Sequence, residues 1–230
     1  MSEIHKDPDA ENGIFQEGEL VKDFQRLLKR DGVAIDIGAN RGQFAARLLE
    51  ACPDLLIHCF EPVPDAFRDL QEKHGDNPSV TFQNKAVSKT DGKIPFHVME
   101  SDIGSSVLPP IEGASSKWLQ LDHVEDVESI RMDTFIESLD KPFIDLLKVD
   151  AQGHDLEVCD SAGDYLNPKS IGALLIEVNF RDFYEGQCSF PDLLKFLEAH
   201  GYRLGWLYQH RSYDGFVWWA DALFLPQLED

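Results

Sequence analysis

Asp36, Glu61, Asp150 and Glu177 each stand at or near the end of a short apolar run: VAIDIG at 33–38, LLIHCF at 55–60, FIDLLKVD at 143–150 and IGALLIEVN at 171–179. Such runs read as strands of a parallel sheet buried on both faces, and ligands of open α/β sheets bind beyond the carboxyl ends of the strands. Four carboxylates therefore share one rim. They repel a pyrophosphate and favour a cation, because opposite charge in a partly dry cleft is stabilising. The turn after the first run, Asp36-Ile37-Gly38-Ala39-Asn40-Arg41-Gly42, places two glycines where the backbone must turn tightly against a helix N-terminus. Glu61 follows Asp36 by one strand-helix-strand unit, near the spacing of about 20 residues at which an acid holds ribose hydroxyls.

A dinucleotide site needs G-x-G-x-x-G. Here the turn offers Gly38, Asn40 and Gly42, and the bulk of Asn40 crowds phosphates; a P-loop lysine is also absent. A phosphate-free nucleoside with a positive centre suits the rim better. S-adenosylmethionine, with its sulfonium and ammonium, meets that description.

The elements that must position these residues follow from periodicity. Residues 1–13 read as a loose polar leader, and 19–30 place Leu20, Phe24, Leu27 and Leu28 on one helical face. Helices are expected at 42–52, 64–75, 154–160 and 191–200, with a third strand near Val80–Phe82. From about 84 to 142 the pattern changes to β segments, KIPFHVM and VESIRM, with a Ser-, Pro- and Gly-rich loop at 101–116. This reads as an insertion in a single domain spanning 31–230, with 1–30 as leader and helix. RLGWLY and DALFLP are expected to close the sheet as two strands joined by a tight loop, and Trp218 and Trp219 alternate across one of them, so at most one faces the core.

The chain has 230 residues and a formal net charge of −21, with 43% hydrophobic and 27% charged residues. That is enough apolar side chain for a sizeable core, and the charge disfavours nucleic acid and anionic membrane surfaces as partners. Cys52, Cys59, Cys159 and Cys188 have no C-x-x-C spacing, so they predict neither a zinc site nor a disulfide framework and fit a reducing cytoplasm. The polar N-terminus lacks the apolar stretch of a secretory signal, and no run reaches the roughly 18 apolar residues of a membrane span. The eight histidines show no metal-ligand spacing, so no metal is assigned.

The chain resembles FkbM-type methyltransferases in VAIDIGANRGQFA (33–45), CFEPVPDAFRDLQ (59–71), FQNKAVSKTDG (82–92), the double serine Ser105-Ser106, SIRMDTFIE (129–137) and IDLLKVDAQGHDLEV (144–158). The resemblance runs from about residue 30 to 180. It implies an α/β class I methyltransferase fold, Rossmann-like, with a mostly parallel seven-stranded sheet closed by an antiparallel C-terminal hairpin, and S-adenosylmethionine-dependent O-methylation. Carried over by position, Asp36, Gly38, Ala39, Asn40 and Gly42 would line the methionine end. Glu61 and Pro62 would serve the ribose, Lys85 and Ala86 the adenine edge, with Ser106 and Asp150 also on the cofactor side. The family usually has Glu where this chain has Gln152, and a glutamine cannot act as a base at neutral pH. Asp150 or His154 then does that work, or the acceptor differs, or activity is lost.

Methyl transfer is an in-line displacement, so the protein must hold nucleophile and methyl collinear and accept the hydroxyl proton. Asp150, His154 and Glu177 are the catalytic candidates. His154 follows the fourth strand and has an ordinary pKa suited to base chemistry. Ser105 and Ser106 lie on a loop that could act as a lid. The acceptor is a small molecule or glycan, and an oligomer is possible. Two other readings stand beside this one: a catalytically silent binding module that keeps the fold, prompted by Gln152 and Trp218-Trp219, and an NAD-dependent dehydrogenase, disfavoured by Asn40.

Overall fold

A computed structural model describes residues 17–112, 117–140, 143–213 and 215–227. The leader expected over 1–13 lies outside them. Helix α1 spans Glu17–Leu27, followed by β1 (Val33–Ile37), α2 (Gln43–Ala51), β2 (Leu56–Phe60), α3 (Pro64–His74) and β3 (Val80–Gln83). Then come β4 (Ala86–Val87), β5 (Gly92–Met99), β6 (Leu121–Ile130) and α4 (Met132–Glu137). The chain continues with β7 (Leu146–Val149), α5 (Asp155–Asp160), β8 (Leu174–Asn179), α6 (Phe190–Ala199), β9 (Tyr202–Tyr213) and β10 (Phe216–Pro226).

A seven-stranded sheet runs β3-β2-β1-β7-β8-β10-β9. The first five strands are mutually parallel, and β10 is antiparallel to both β8 and β9. The order of strand addition reverses between β1 and β7, with β2 and β3 laid down on one side of β1 and β7 and β8 on the other, which makes that junction the switch point where a crevice opens. The central strands are buried on both faces, and β1 has no exposed residue. Alternate side chains sort into two layers. Ile35, Leu147, Val149 and Ile176 pack on α4, α5 and α6 through Phe135, Val158 and Leu197. Ala34, Leu146, Leu175 and Leu223 pack on α1 and α2 through Phe24 and Leu48.

The middle segment forms its own small sheet, β4-β6-β5, with β4 and β6 parallel and β5 and β6 antiparallel. Phe96, Val98 and Val127 set it on Val63 and Ala66 at the start of α3. VESIRM is not wholly β: β6 ends at Ile130, Arg131 caps α4 and Met132 is already helical and fully buried. The closing strands are longer than RLGWLY and DALFLP, because pairing with β10 carries the polar residues after Tyr208 into the ladder. All four cysteines are free thiols. Among the described residues, no helix is long and apolar enough to cross a membrane.

Candidate active site

The turn after β1 is shaped by three positive-φ residues, Gly38 (φ 71°), Asn40 (φ 48°) and Gly42 (φ 76°). At Gly38 a Cβ would lie 2.1 Å from the Asp150 carbonyl oxygen, so no other residue fits. The Gly38 and Ala39 amides donate to the Phe60 carbonyl at 3.0 and 2.9 Å, which ties the turn to the end of β2. Glu61, one residue further, finishes the job. Its Oε2 accepts from the Asn40 amide and its Oε1 from the Val63 amide, both at 2.8 Å. Burial pushes its pKa up to about 7 against the pull of those two amides.

Beneath the turn, Lys148 extends from β7 into the core. Its Nζ pairs with Asp36 at 3.2 Å and Asp150 at 3.4 Å and donates to the Gly38 carbonyl at 3.0 Å. Burial opposes its charge, but the neighbouring carboxylates of Asp36 and Asp150 hold it protonated. Burial also raises Asp36, with Lys148 countering.

Gln152 occupies the turn after β7 with φ 50°. Its Nε2 donates to Asp150 Oδ1 at 2.7 Å and Glu177 Oε1 at 2.9 Å, while its Oε1 lies 2.9 Å from the Tyr184 hydroxyl. The amide thus joins two carboxylates that would otherwise repel. Glutamate here would bring a third anion, so the departure from the family pattern has a structural meaning. Desolvation, then the charges of Asp150 and Asp221, push Glu177 well above the usual carboxylate range. Asp221, opposite Glu177 in the β8–β10 ladder, is raised to about 6 by burial and by Asp150. Asp155 is raised to about 7, chiefly by burial, and caps the turn by accepting from the Ala151 and Gly153 amides.

These groups meet at a cavity of about 520 Å³. Gly38, Ala39, Asn40, Glu61, Pro62, Lys85, Ala86, Asp150 and Glu177 all line it, as do Lys148, Gln152 and Asp221. Four expected residues do not. Asp36 is fully buried below the rim and serves Lys148. Gly42 faces away; its carbonyl accepts from His74 Nε2 at 2.8 Å, and a Cβ there would strike the His74 ring. Ser106 is buried with its Oγ donating to the Gln152 carbonyl at 2.8 Å, so it braces the turn and is no lid, while its neighbour Ser105 reaches the cavity. His154 sits behind the turn with Nε2 3.1 Å from Ser88 Oγ, and burial, aided by Lys89, lowers its pKa to about 4. It does not line the cavity that Asp150 and Glu177 share.

Sequence reading missed Lys148, Asp221, Arg47, Gln209 and Arg211, all lining the cavity. Lys148 left a signal, a charge inside an otherwise apolar run. The others come from α2 and the hairpin, where nothing local marks them. Both tryptophans are partly buried: Trp219 lines the cavity, and Trp218 packs against Phe183 with the rings tilted by 52°, under the Arg181 guanidinium.

The chain is 30% identical over 181 residues to 2-O-methyltransferase NoeI of Sinorhizobium fredii, covering 75% of this chain and 74% of that one. It is 26% identical over 163 residues to hexuronic acid methyltransferase AglP of Haloferax volcanii, covering 69% of this chain and 62% of that one. The fold matches the crystal structure of magnesium protoporphyrin IX methyltransferase from Synechocystis PCC 6803 with a TM-score of 0.52 at 11% identity, over 91% of this chain and 77% of that one. The model of the methyltransferase FkbM domain matches residues 36–204, the stretch from the buried Asp36 of β1 into β9, and the chain belongs to that family of methyltransferases.

Proposed function

We propose that this chain transfers a methyl group from S-adenosylmethionine to a hydroxyl of a sugar or similar small molecule. The observation that carries this reading is one cavity with Glu61 at one end and the Gln152-bridged pair Asp150 and Glu177 at the other. The names of NoeI and AglP support the acceptor class.

The residues present fit the cofactor. Each Glu61 oxygen spends one lone pair on a backbone amide and keeps another for a ribose hydroxyl. Glu61, Asp150, Glu177 and Asp221 line the cavity, and Lys148, the cation beneath them, is already committed to Asp36 and Asp150. Arg47, Lys85 and Arg211 line the cavity as well, so what suits a ligand carrying an ammonium and a sulfonium is the local cluster of Asp150, Glu177 and Asp221 rather than the cavity's overall charge. Gly38, Ala39 and Asn40 would hold its methionine end, and Lys85 and Ala86 its base. When bound, the cofactor supplies an electrophilic methyl group.

The protein's own work is alignment, exclusion of water and removal of one proton. Gln152 fixes Asp150 and Glu177 through its two N–H groups, and the Tyr184 hydroxyl, whose single proton faces both the Gly104 carbonyl at 2.8 Å and the Gln152 carbonyl at 2.9 Å, braces Gln152. One carboxylate of this pair, in its ionised form, accepts the hydroxyl proton as the oxygen attacks. Calorimetric titration of S-adenosylhomocysteine into wild type and Glu61→Ala tests the cofactor half; the variant should lose at least about tenfold in affinity, and equal affinity would count against it. Transfer of labelled methyl to a panel of sugar hydroxyls tests the reaction itself.

A further inference from the structure

The cavity does not stop at Glu177. In the β8–β10 ladder Glu177 lies opposite Asp221, and in the β10–β9 ladder Trp219 lies opposite Arg211. Residues 219 and 221 share a face, so the wall runs outward along the hairpin from carboxylates to an indole and a guanidinium. The register shifts between Trp219 and Asp221, and there β9 inserts Gln209 in the left-handed region with φ 45°. A residue with a Cβ takes that conformation at a cost of about 1 kcal/mol, and the result here is an amide turned to the cavity wall.

The chemistry of this outer end differs from the inner one. Gln209 Nε2 is buried and has no hydrogen-bond partner among the described residues. Buried donors are almost always satisfied, so an acceptor atom from outside the chain belongs there. Arg211, on the same wall, makes no hydrogen bond or ion pair among the described residues. Arg47 of α2 lines the same end, and its charge lowers the pKa of Asp221. A planar guanidinium and a primary amide are donors matched to an oxyanion, and the flat face of Trp219 suits the C–H face of a pyranose.

We propose that this outer end binds an oxyanion substituent, a carboxylate or a sulfate, carried by the sugar acceptor, with Arg211 and Gln209 donating to it and Trp219 against the ring. The proposal rests on the methyltransferase reading and deepens it, since an anion anchored on the hairpin sets which hydroxyl reaches Asp150 and Glu177.

The test uses the full chain loaded with S-adenosylhomocysteine and three probes: methyl glucuronoside, methyl glucoside 6-sulfate and methyl glucoside, with affinities read by saturation-transfer NMR. At least one acidic sugar should bind about tenfold or more tighter than the neutral one. Preference for the carboxylate would indicate recognition by the planar fork, and equal binding of both acids recognition by charge; either supports the proposal. Arg211→Ala should bring the acid-to-neutral ratio close to one, and Arg211→Lys should keep part of it. Equal binding of acidic and neutral sugars by wild type, no binding of any acidic sugar, or an equal loss for all three probes in Arg211→Ala would overturn it. Failure of S-adenosylhomocysteine to bind at all would fall instead on the cofactor reading; the same sugar contrast is then measured on the unloaded chain, where Arg211 and Gln209 are still in place.

Discussion

The two ends of the cavity are built by different means. The end near Glu61 is a backbone construction: amides of Gly38, Ala39, Asn40 and Val63 held by one carbonyl and one carboxylate, all within residues 38–63. The end near Glu177 is a side-chain construction, in which Asp150 and Gln152, Glu177, Tyr184 and Asp221 come from four separate stretches. A backbone cradle suits a ligand that does not change, while a side-chain network can be re-cut for a new acceptor by single substitutions.

That contrast can be broken or sharpened by experiment. The largest effect is expected from Glu177→Gln, which should lower kcat by about a hundredfold or more and leave S-adenosylhomocysteine affinity nearly unchanged; parallel losses in both would merge the two ends into one. Gly38→Ala should strike the other end, destabilising the fold by about 3 kcal/mol in urea unfolding, from its positive φ and the collision with the Asp150 carbonyl. Gln152→Glu should move the acid limb of the pH–rate profile upward by about one unit, because a third carboxylate makes the pair harder to ionise; an unmoved limb would remove Gln152 from the proton step.

The next effect is one of pH on stability. Glu61 and Asp155 keep protons up to about 7 and Asp221 up to about 6. Each folded value lies above the unfolded one, so the folded chain binds more protons in that window. Their contribution is full below the unfolded carboxylate range and is lost as pH rises through 6 to 7. Thermal scans of the ligand-free protein should give a lower Tm at about pH 8 than at about pH 5.5; a Tm that rose over that interval would contradict the assignment. Tyr184→Phe should be the mildest change, costing about 1 kcal/mol of stability with a small drop in kcat and none in cofactor affinity.

How much of this was legible in the sequence follows the same division. Asp36, Gly38, Asn40 and Glu61 sit within one strand-helix-strand unit, where local spacing encodes local geometry, and the turn and its acid could be read directly. Even there, Asp36 and Gly42 proved to be supports, because spacing places a residue near a site without saying which way it faces. His154 misled for the same reason: it follows the correct strand but points at Ser88. The outer wall was hidden, since Arg211 and Gln209 reach the cavity through a hairpin register with a local irregularity that no periodicity announces. Gln152 was visible as an oddity, and its partners were not.

The position of β10 also bears on how the molecule comes into being. β9 hydrogen-bonds within the sheet to β10 alone, and β10 lies between it and β8. While a ribosome is still extending the chain past Tyr213, β8 has an open edge and β9 no seat in the sheet. The cofactor cradle can close early from the first strands, whereas the wall bearing Asp221, Trp219 and Arg211 is erected last, after the final described strand has slid between its neighbours. Nascent chains halted before Phe216 would then lack the wall against which the proposed acceptor rests.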